Sequence, residues 1–372
     1  MSRSTGLLVF SLVMLAIHAG ARQVDDDIRT EAVPAYVLDA RRLRTAFLDL
    51  YGRPPFTDER RVWEGRGMSE LLDVALRDPA FWQNWFDEEL YYFLLIENFR
   101  PTSERVLSVP EALAEGGLCV RDALHRIVIS ASFDRRNPGN DTFVTVVMEQ
   151  LLGLTVQKVP RELEIGKRLY DGGQGNFLGR AGSSQADVVR IAVEDRRMLQ
   201  QFLKRGCGRI LRREATGREL AQWSRRVGKS GQKYNDLLRD WFLSEDYDER
   251  LATRAAQPNR IFIRSLFVDL MDRLPGEDES RRMRNALDGL ADAGPLRSVI
   301  ARLLVDSGRA AIPEKANITD PTRWITSLFE RYLGRAPLPE ETAVFARAFH
   351  DPECRPATIV YALVSHPEYQ TW

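Results

Sequence analysis

Histidine and cysteine are the scarcest chemical side chains in this sequence: four histidines and three cysteines in 372 residues. Cys119 lies six positions before His125, and His350 lies four before Cys354. Gathered by a fold, these four would form a Cys₂His₂ zinc site. Pro352 disturbs the helical spacing of the second pair, and three thiols behaving as small buried hydrophobes account for the scattered cysteines more simply. At most one disulfide can form among Cys119, Cys207 and Cys354, and the spacing leaves open whether one does. No Cys-x-x-Cys-His occurs, so no covalent haem is expected, and the chain is read as holding no metal and no cofactor of its own. His366, in Ser-His-Pro-Glu-Tyr, reads as a helix-end residue.

Nucleophilic and acid–base chemistry find equally little. A serine hydrolase needs its nucleophile on a strained turn, and no Gly-x-Ser-x-Gly is present. Gly182-Ser183-Ser184 is a poor substitute. Asp87-Glu88-Glu89 offers carboxylates of the kind a glycosidase uses, but neighbours on a helix diverge, so these read as solvated charge. No catalytic residue can be named. The stretch 171–185 contains Gly-x-Gly but no Gly-Lys-Ser/Thr, so it reads as a surface loop before a helix at Gln185 rather than a phosphate cradle. It is nonetheless the best candidate for a ligand-binding loop. Segment 81–99 carries Phe81, Trp82, Trp85, Phe86, Tyr91, Tyr92, Phe93 and Phe99. Trp82, Trp85 and Phe86 share a helical face, the signature of a core helix, with an aromatic platform for carbohydrate as the rival.

The elements that would position these residues announce themselves through a repeated phrase. An arginine precedes a glutamate by six positions at Arg53–Glu59, Arg213–Glu219, Arg273–Glu279 and Arg335–Glu341. Each copy follows an apolar helical stretch and precedes an amphipathic one, as a repeated helix–turn–helix unit would. Structurally, the arginine would cover the carbonyls of the preceding helix end and the glutamate would favour the next helix start; the alternative is a row of partner-facing charges. Thr57 is expected to cap the second helix of the first unit, and Thr216 with Glu219 forms a capping box. Helix breaks are predicted near Gly52, Gly153, Arg213, Arg273 and Gly334. Arg213 to Tyr247 and Arg335 to Tyr369 both span 34 positions, whereas Arg53 to Phe81 spans 28. The β-branched groups 127–129 and 144–147 could be short strands, but no hairpin turn joins them, and helix is preferred.

These signals predict an all-α fold of about five degenerate helix–turn–helix units, with room for minor short strands. The expected organisation is a signal peptide over 1–21 and a flexible lead-in over 22–39. An N-terminal helical domain follows over 40–207 with its Gly-rich loop 171–185, then helical units over 208–257 and 258–309. A linker and final unit occupy 310–372. A long connection is expected over 100–120. The signal peptide rests on Arg3, an apolar run of twelve from Gly6 to Ile17, and the small-x-small site Ala19-Gly20-Ala21. Export to the periplasm or cell surface is the expectation, with no membrane-spanning segment after cleavage. Removing 1–21 takes out one arginine and no acid, leaving a formal charge of −1. So balanced a chain argues against a nucleic-acid partner. The basic clusters Arg41-Arg42-Arg44 and Arg281-Arg282-Arg284 have acids nearby and read as solvated faces.

The run Phe47-Leu48-Asp49-Leu50-Tyr51-Gly52-Arg53-Pro54-Pro55, with Ile127-Val128-Ile129-Ser130-Ala131-Ser132-Phe133 and 143–152 further on, resembles a planctomycete-type secreted domain family of unknown function. That family often accompanies cytochrome-c-like domains, and this chain has no haem domain. The closing phrases His366-Pro367-Glu368-Tyr369 and Ser244-Glu245-Asp246-Tyr247 are similar to phycobilisome-linker-like helical repeats. Both resemblances imply architecture and supply no catalytic residues. The function expected is an exported interaction or scaffold protein with an unidentified protein partner. The alternative is a periplasmic hydrolase acting on polysaccharide, its site between segment 81–99 and loop 171–185.

Overall fold

Helix Ala40–Tyr51 shows how each repeat begins. Asp39 caps it by accepting from the Arg42 backbone N–H, and Leu43, Phe47 and Leu50 fall on one face and are fully buried. Gly52 ends it in the left-handed region at φ +63°. The same event recurs at all four turns, always at the residue before the repeat arginine: Gly52, Arg212, Asp272 and Gly334 have φ of +63°, +52°, +52° and +67°. A left-handed residue reverses the chain and frees the next side chain to reach forward.

The computed structural model describes residues 36–91, 102–228 and 231–372, and the side chains of 89–91 and 231–232 are not described. It is 69% helical, with one two-stranded antiparallel sheet, so the fold is all-α. The predicted breaks at Gly52, Gly153, Arg213, Arg273 and Gly334 all fall between helices. Each repeat proves larger than a helix–turn–helix. The first holds Ala40–Tyr51, Thr57–Trp63 and Met68–Ala75, closing with Pro79–Trp85. The third holds Arg196–Ile210, Gly217–Val227 and Gly231–Phe242, closing with Glu245–Ala252. The fourth is Asn259–Met271, Glu277–Asp288 and Gly294–Val305; the fifth is Pro321–Leu333, Pro339–His350 and Pro356–Val364, closing with Pro367–Gln370. The phrase marks only the first turn of a three-helix unit.

Between the first and third units lie helices Val120–Val128, Gly139–Val146, Pro160–Tyr170 and Gln185–Glu194. The β-branched groups are helical, or flank a helix end, as preferred. The short strands fall instead inside the Gly-rich stretch, where Gly175–Phe177 pairs with Arg180–Gly182. The loop is therefore a hairpin, pinned by fully buried Phe177, whose ring lies against Gly166 so closely that a Cβ there would meet it at 3.1 Å. The expected connection over 100–120 contains two short helices, Glu104–Leu107 and Val109–Ala114. The lead-in ends earlier than expected, because Leu38 is fully buried and Val37 bridges Gly67.

Residues 36–372 form one compact unit around two separate apolar clusters. The first and third repeats, with the segment between them, share the cluster from Leu38 to Tyr247. The fourth and fifth share the cluster from Phe262 to Tyr369. No helix among the described residues is long and apolar enough to cross a membrane. The signal-peptide expectation over 1–21 lies outside the described residues.

Candidate functional site

The repeated arginine and glutamate bind each other. In every copy the two guanidinium nitrogens face the two carboxylate oxygens, from 2.5 and 2.7 Å at Arg53–Glu59 to 2.9 and 2.9 Å at Arg273–Glu279. The arginine also donates to the carbonyl of the next residue: Pro54, Glu214, Leu274 or Ala336. It does not cover the carbonyls of the preceding helix end, as expected from sequence, because the left-handed residue turns it away from that end. The glutamate accepts from the N-cap backbone N–H at 2.7–2.8 Å: Phe56, Thr216, Gly276 and Leu338. Thr216 alone completes a reciprocal box, donating its hydroxyl to Glu219 and accepting the Glu219 N–H. Thr57 is not the cap; its N–H and hydroxyl both donate to Asp272. Arginine hydrogen bonds hold the Glu219, Glu279 and Glu341 carboxyls down at about 2.

The 34-residue spacing has a separate cause. The residue before the closing tyrosine is acidic and folds onto the repeat arginine: Asp246 on Arg213, Glu368 on Arg335. The tyrosine then turns inward to the other repeat of its pair. Tyr247 donates to Asp49 Oδ2 at 2.8 Å, and Tyr369 donates to Asp269 Oδ2 at 2.9 Å. Asp49 and Asp269 each stand four residues before a repeat arginine and are 4% and 2% exposed. In the first unit the closing phrase is Asp78-Pro79-Ala80-Phe81, so alanine and phenylalanine replace the acid and the hydroxyl. It can make neither contact, which is why its spacing is free to differ.

The two buried carboxylates are the most concentrated polar chemistry in the described fold. Asp49 accepts four donors: Tyr247, both terminal nitrogens of Arg250 at 2.5 and 2.6 Å, and the Trp372 indole at 2.9 Å. Asp269 accepts Arg44 at 2.8 and 3.2 Å together with Tyr369. Burial, with the neighbouring carboxylate adding to it, drives both tyrosine hydroxyls far above their ordinary range, so they stay protonated and donate to the aspartates. Of the roughly four acceptor sites a carboxylate offers, Asp49 has all occupied and Asp269 has three. The adjoining cavity, lined by Arg41, Arg44, Arg250, Arg254, Glu368 and Trp372, encloses about 20 Å³, room for a single water.

The other sequence candidates are dispersed. Trp82 and Trp85 are 1% and 0% exposed, and Trp85 packs on Phe202 and Tyr234. Phe81, Trp82, Trp85 and Phe86 are therefore core, not a platform; the side chain of Tyr91, and Tyr92, Phe93 and Phe99, lie outside the described residues. Asp87 and Glu88 are not solvated charges. Both reach across to helix Asn259–Met271, where Arg260 pairs with Glu88 and Arg264 stands 3.6 Å from Asp87. Burial alone would raise the Glu88 carboxyl, but Arg260 holds it below its ordinary value. Arg44, which its sequence neighbours mark as solvated, is likewise buried at 5% exposed.

Cys119 contacts Asp122, Cys354 contacts Lys315 through its carbonyl, and all three cysteines are free thiols. Only Cys207 is fully buried. Among the described residues no three of His, Cys, Asp and Glu are grouped to hold a metal ion. His366 caps the helix Pro367–Gln370 by accepting from the Glu368 N–H, in keeping with a helix-end role. Ser183 and Ser184 fold onto Asp187 as a helix start. An open groove of about 410 Å³ includes Asp73, Arg77, Glu115, Asp236 and Arg239 in its lining, with Asp73 ion-paired to Arg239. Comparison with family models, with curated proteins and with solved structures finds no match to this chain.

Proposed function

We infer that this is an exported scaffold or interaction protein whose charged residues serve its architecture. The observation that carries the reading is that the side chains best suited to chemistry are engaged within the fold. All four repeat arginines are bound to their glutamates, Asp49 takes tyrosine, arginine and indole donors, and Asp269 takes arginine and tyrosine donors. A rigid, internally tied frame suits a protein that displays a surface to a partner. The two resemblances in the sequence, to a secreted planctomycete-type domain and to phycobilisome-linker-like repeats, lead in the same direction. The polysaccharide hydrolase reading draws no support from its aromatic segment, whose described rings are core.

The test is capture of partners from a periplasmic extract by the mature protein under native conditions, beside an activity screen on polysaccharides. The reading expects one protein to co-purify in fixed stoichiometry and no sugar release. Sugar release abolished by an Asp73→Asn or Glu115→Gln change would overturn it and move attention to the open groove.

A further inference from the structure

We propose that residues 368–372, anchored in the second half by buried Tyr369, form a clasp on the seam between the two halves of the fold, and that freeing its hold on the first half and on the connection 253–258 lets the halves separate about that connection. The two apolar clusters do not merge, and hydrogen bonds and ion pairs cross between the halves beside a few buried apolar side chains such as Leu48 and Val268. Arg44 enters the second half to bind Asp269 and the Arg331 carbonyl, and Thr57 binds Asp272. Arg260 returns to Asn84 and Glu88. Polar ties of this kind regain water when they part, so the halves separate at lower cost than two faces of one shared apolar core.

The clasp lies along this seam and touches both sides. The Ala255 and Trp372 backbones exchange hydrogen bonds at 3.1 and 3.0 Å, and the Gln257 N–H donates to the Gln370 carbonyl at 2.8 Å. Gln257, 2% exposed, sends its side-chain amide to the Tyr369 and Thr371 carbonyls. Beyond this short antiparallel pairing, the Trp372 indole crosses to Asp49 and its ring lies under Arg212, whose guanidinium carbon is 4.7 Å from the ring centre. Glu368 holds Arg254 of the connection and Arg335 of the fifth repeat together. One five-residue segment thus joins the connection, the first repeat and the fifth.

Arg254 makes the idea measurable, because trypsin can cut after it once the clasp lifts. Native-state proteolysis of the full chain is followed for wild type, Trp372→Ala, Gln257→Ala and the milder Trp372→Phe. Cleavage after Arg254 should rise roughly tenfold or more in the alanine variants, as loss of hydrogen bonds to a buried or charged group implies. It should rise less in Trp372→Phe, and helicity should be retained throughout. Leu237→Ala, in the first apolar cluster, serves as a control that lowers overall stability without raising cleavage at Arg254 selectively. Unchanged cleavage in the clasp variants overturns the proposal. So does an equal rise in Leu237→Ala, or loss of helicity in Trp372→Phe, since either makes the segment part of the global fold rather than a clasp.

Discussion

Tyr369 and Asp269, one hundred positions apart, meet through a 2.9 Å hydrogen bond inside the second half, and Tyr247 and Asp49 repeat that contact at 2.8 Å in the first. The parallel extends further, with the acceptor carbonyl one residue out of register. Arg331 donates to the Val268 carbonyl and Arg209 to the Asp49 carbonyl, both at 3.3 Å. Each half is therefore a pair of repeats in which the first supplies a buried aspartate and the second supplies the tyrosine that satisfies it. The middle segment is an insertion within the first pair.

Tyr369→Phe and Tyr247→Phe should each destabilise the protein by about 1–3 kcal/mol, because a buried carboxylate loses a donor it cannot replace with water. Urea unfolding measures this, and the two losses should be alike. A loss in one variant alone would deny the equivalence of the halves.

Arg335→Ala should lower stability by about 1–2 kcal/mol, the charge-assisted value reduced for a side chain that solvent partly screens. Arg335→Lys should recover little of it, since a lysine cannot match two carboxylate oxygens at once. A double-mutant cycle with Glu341→Gln reads the coupling directly; zero coupling would leave the turn without its supposed lock.

Stability should fall on acidification. The Glu219, Glu279 and Glu341 carboxyls stand at about 2 in the folded chain, against about 4.3 for a free glutamate. Folding lowers their affinity for protons, so their contribution is complete above the unfolded value and is lost as pH falls through the folded one. Melting temperatures measured between about pH 5 and 2 should decline over that window, and Glu341→Gln should flatten part of the decline.

Gly334→Ala should be more damaging than Gly308→Ala. Both glycines have positive φ, +67° and +72°, so each substitution meets a left-handed penalty of about 1–2 kcal/mol. At Gly334 the new Cβ would also stand 3.1 Å from the Arg41 Cα, while at Gly308 nothing lies within 4 Å. The difference between the two variants in thermal unfolding isolates the close approach of the first and fifth repeats.

Local physics was legible before any coordinates. Helical periodicity around Phe47, the glycines at 52, 153 and 334, and the six-residue Arg–Glu interval each act within one or two turns of chain, so composition and spacing determine them. The all-α class and every predicted break follow from such signals, as does the burial of Trp82 and Trp85. What the tertiary structure alone decided is where charges go when distant segments meet. Arg44, Asp87 and Glu88 look solvated in a window of neighbouring residues, yet each finds its counter-ion about 170 or more positions away. The hairpin in the Gly-rich stretch depends on Phe177 finding Gly166, and the third helix of each repeat carries no phrase of its own. The 34-residue spacing was visible, but its meaning was not. A tyrosine hydroxyl becomes informative only when burial denies it water and a particular aspartate, Asp49 or Asp269, is the acceptor within reach.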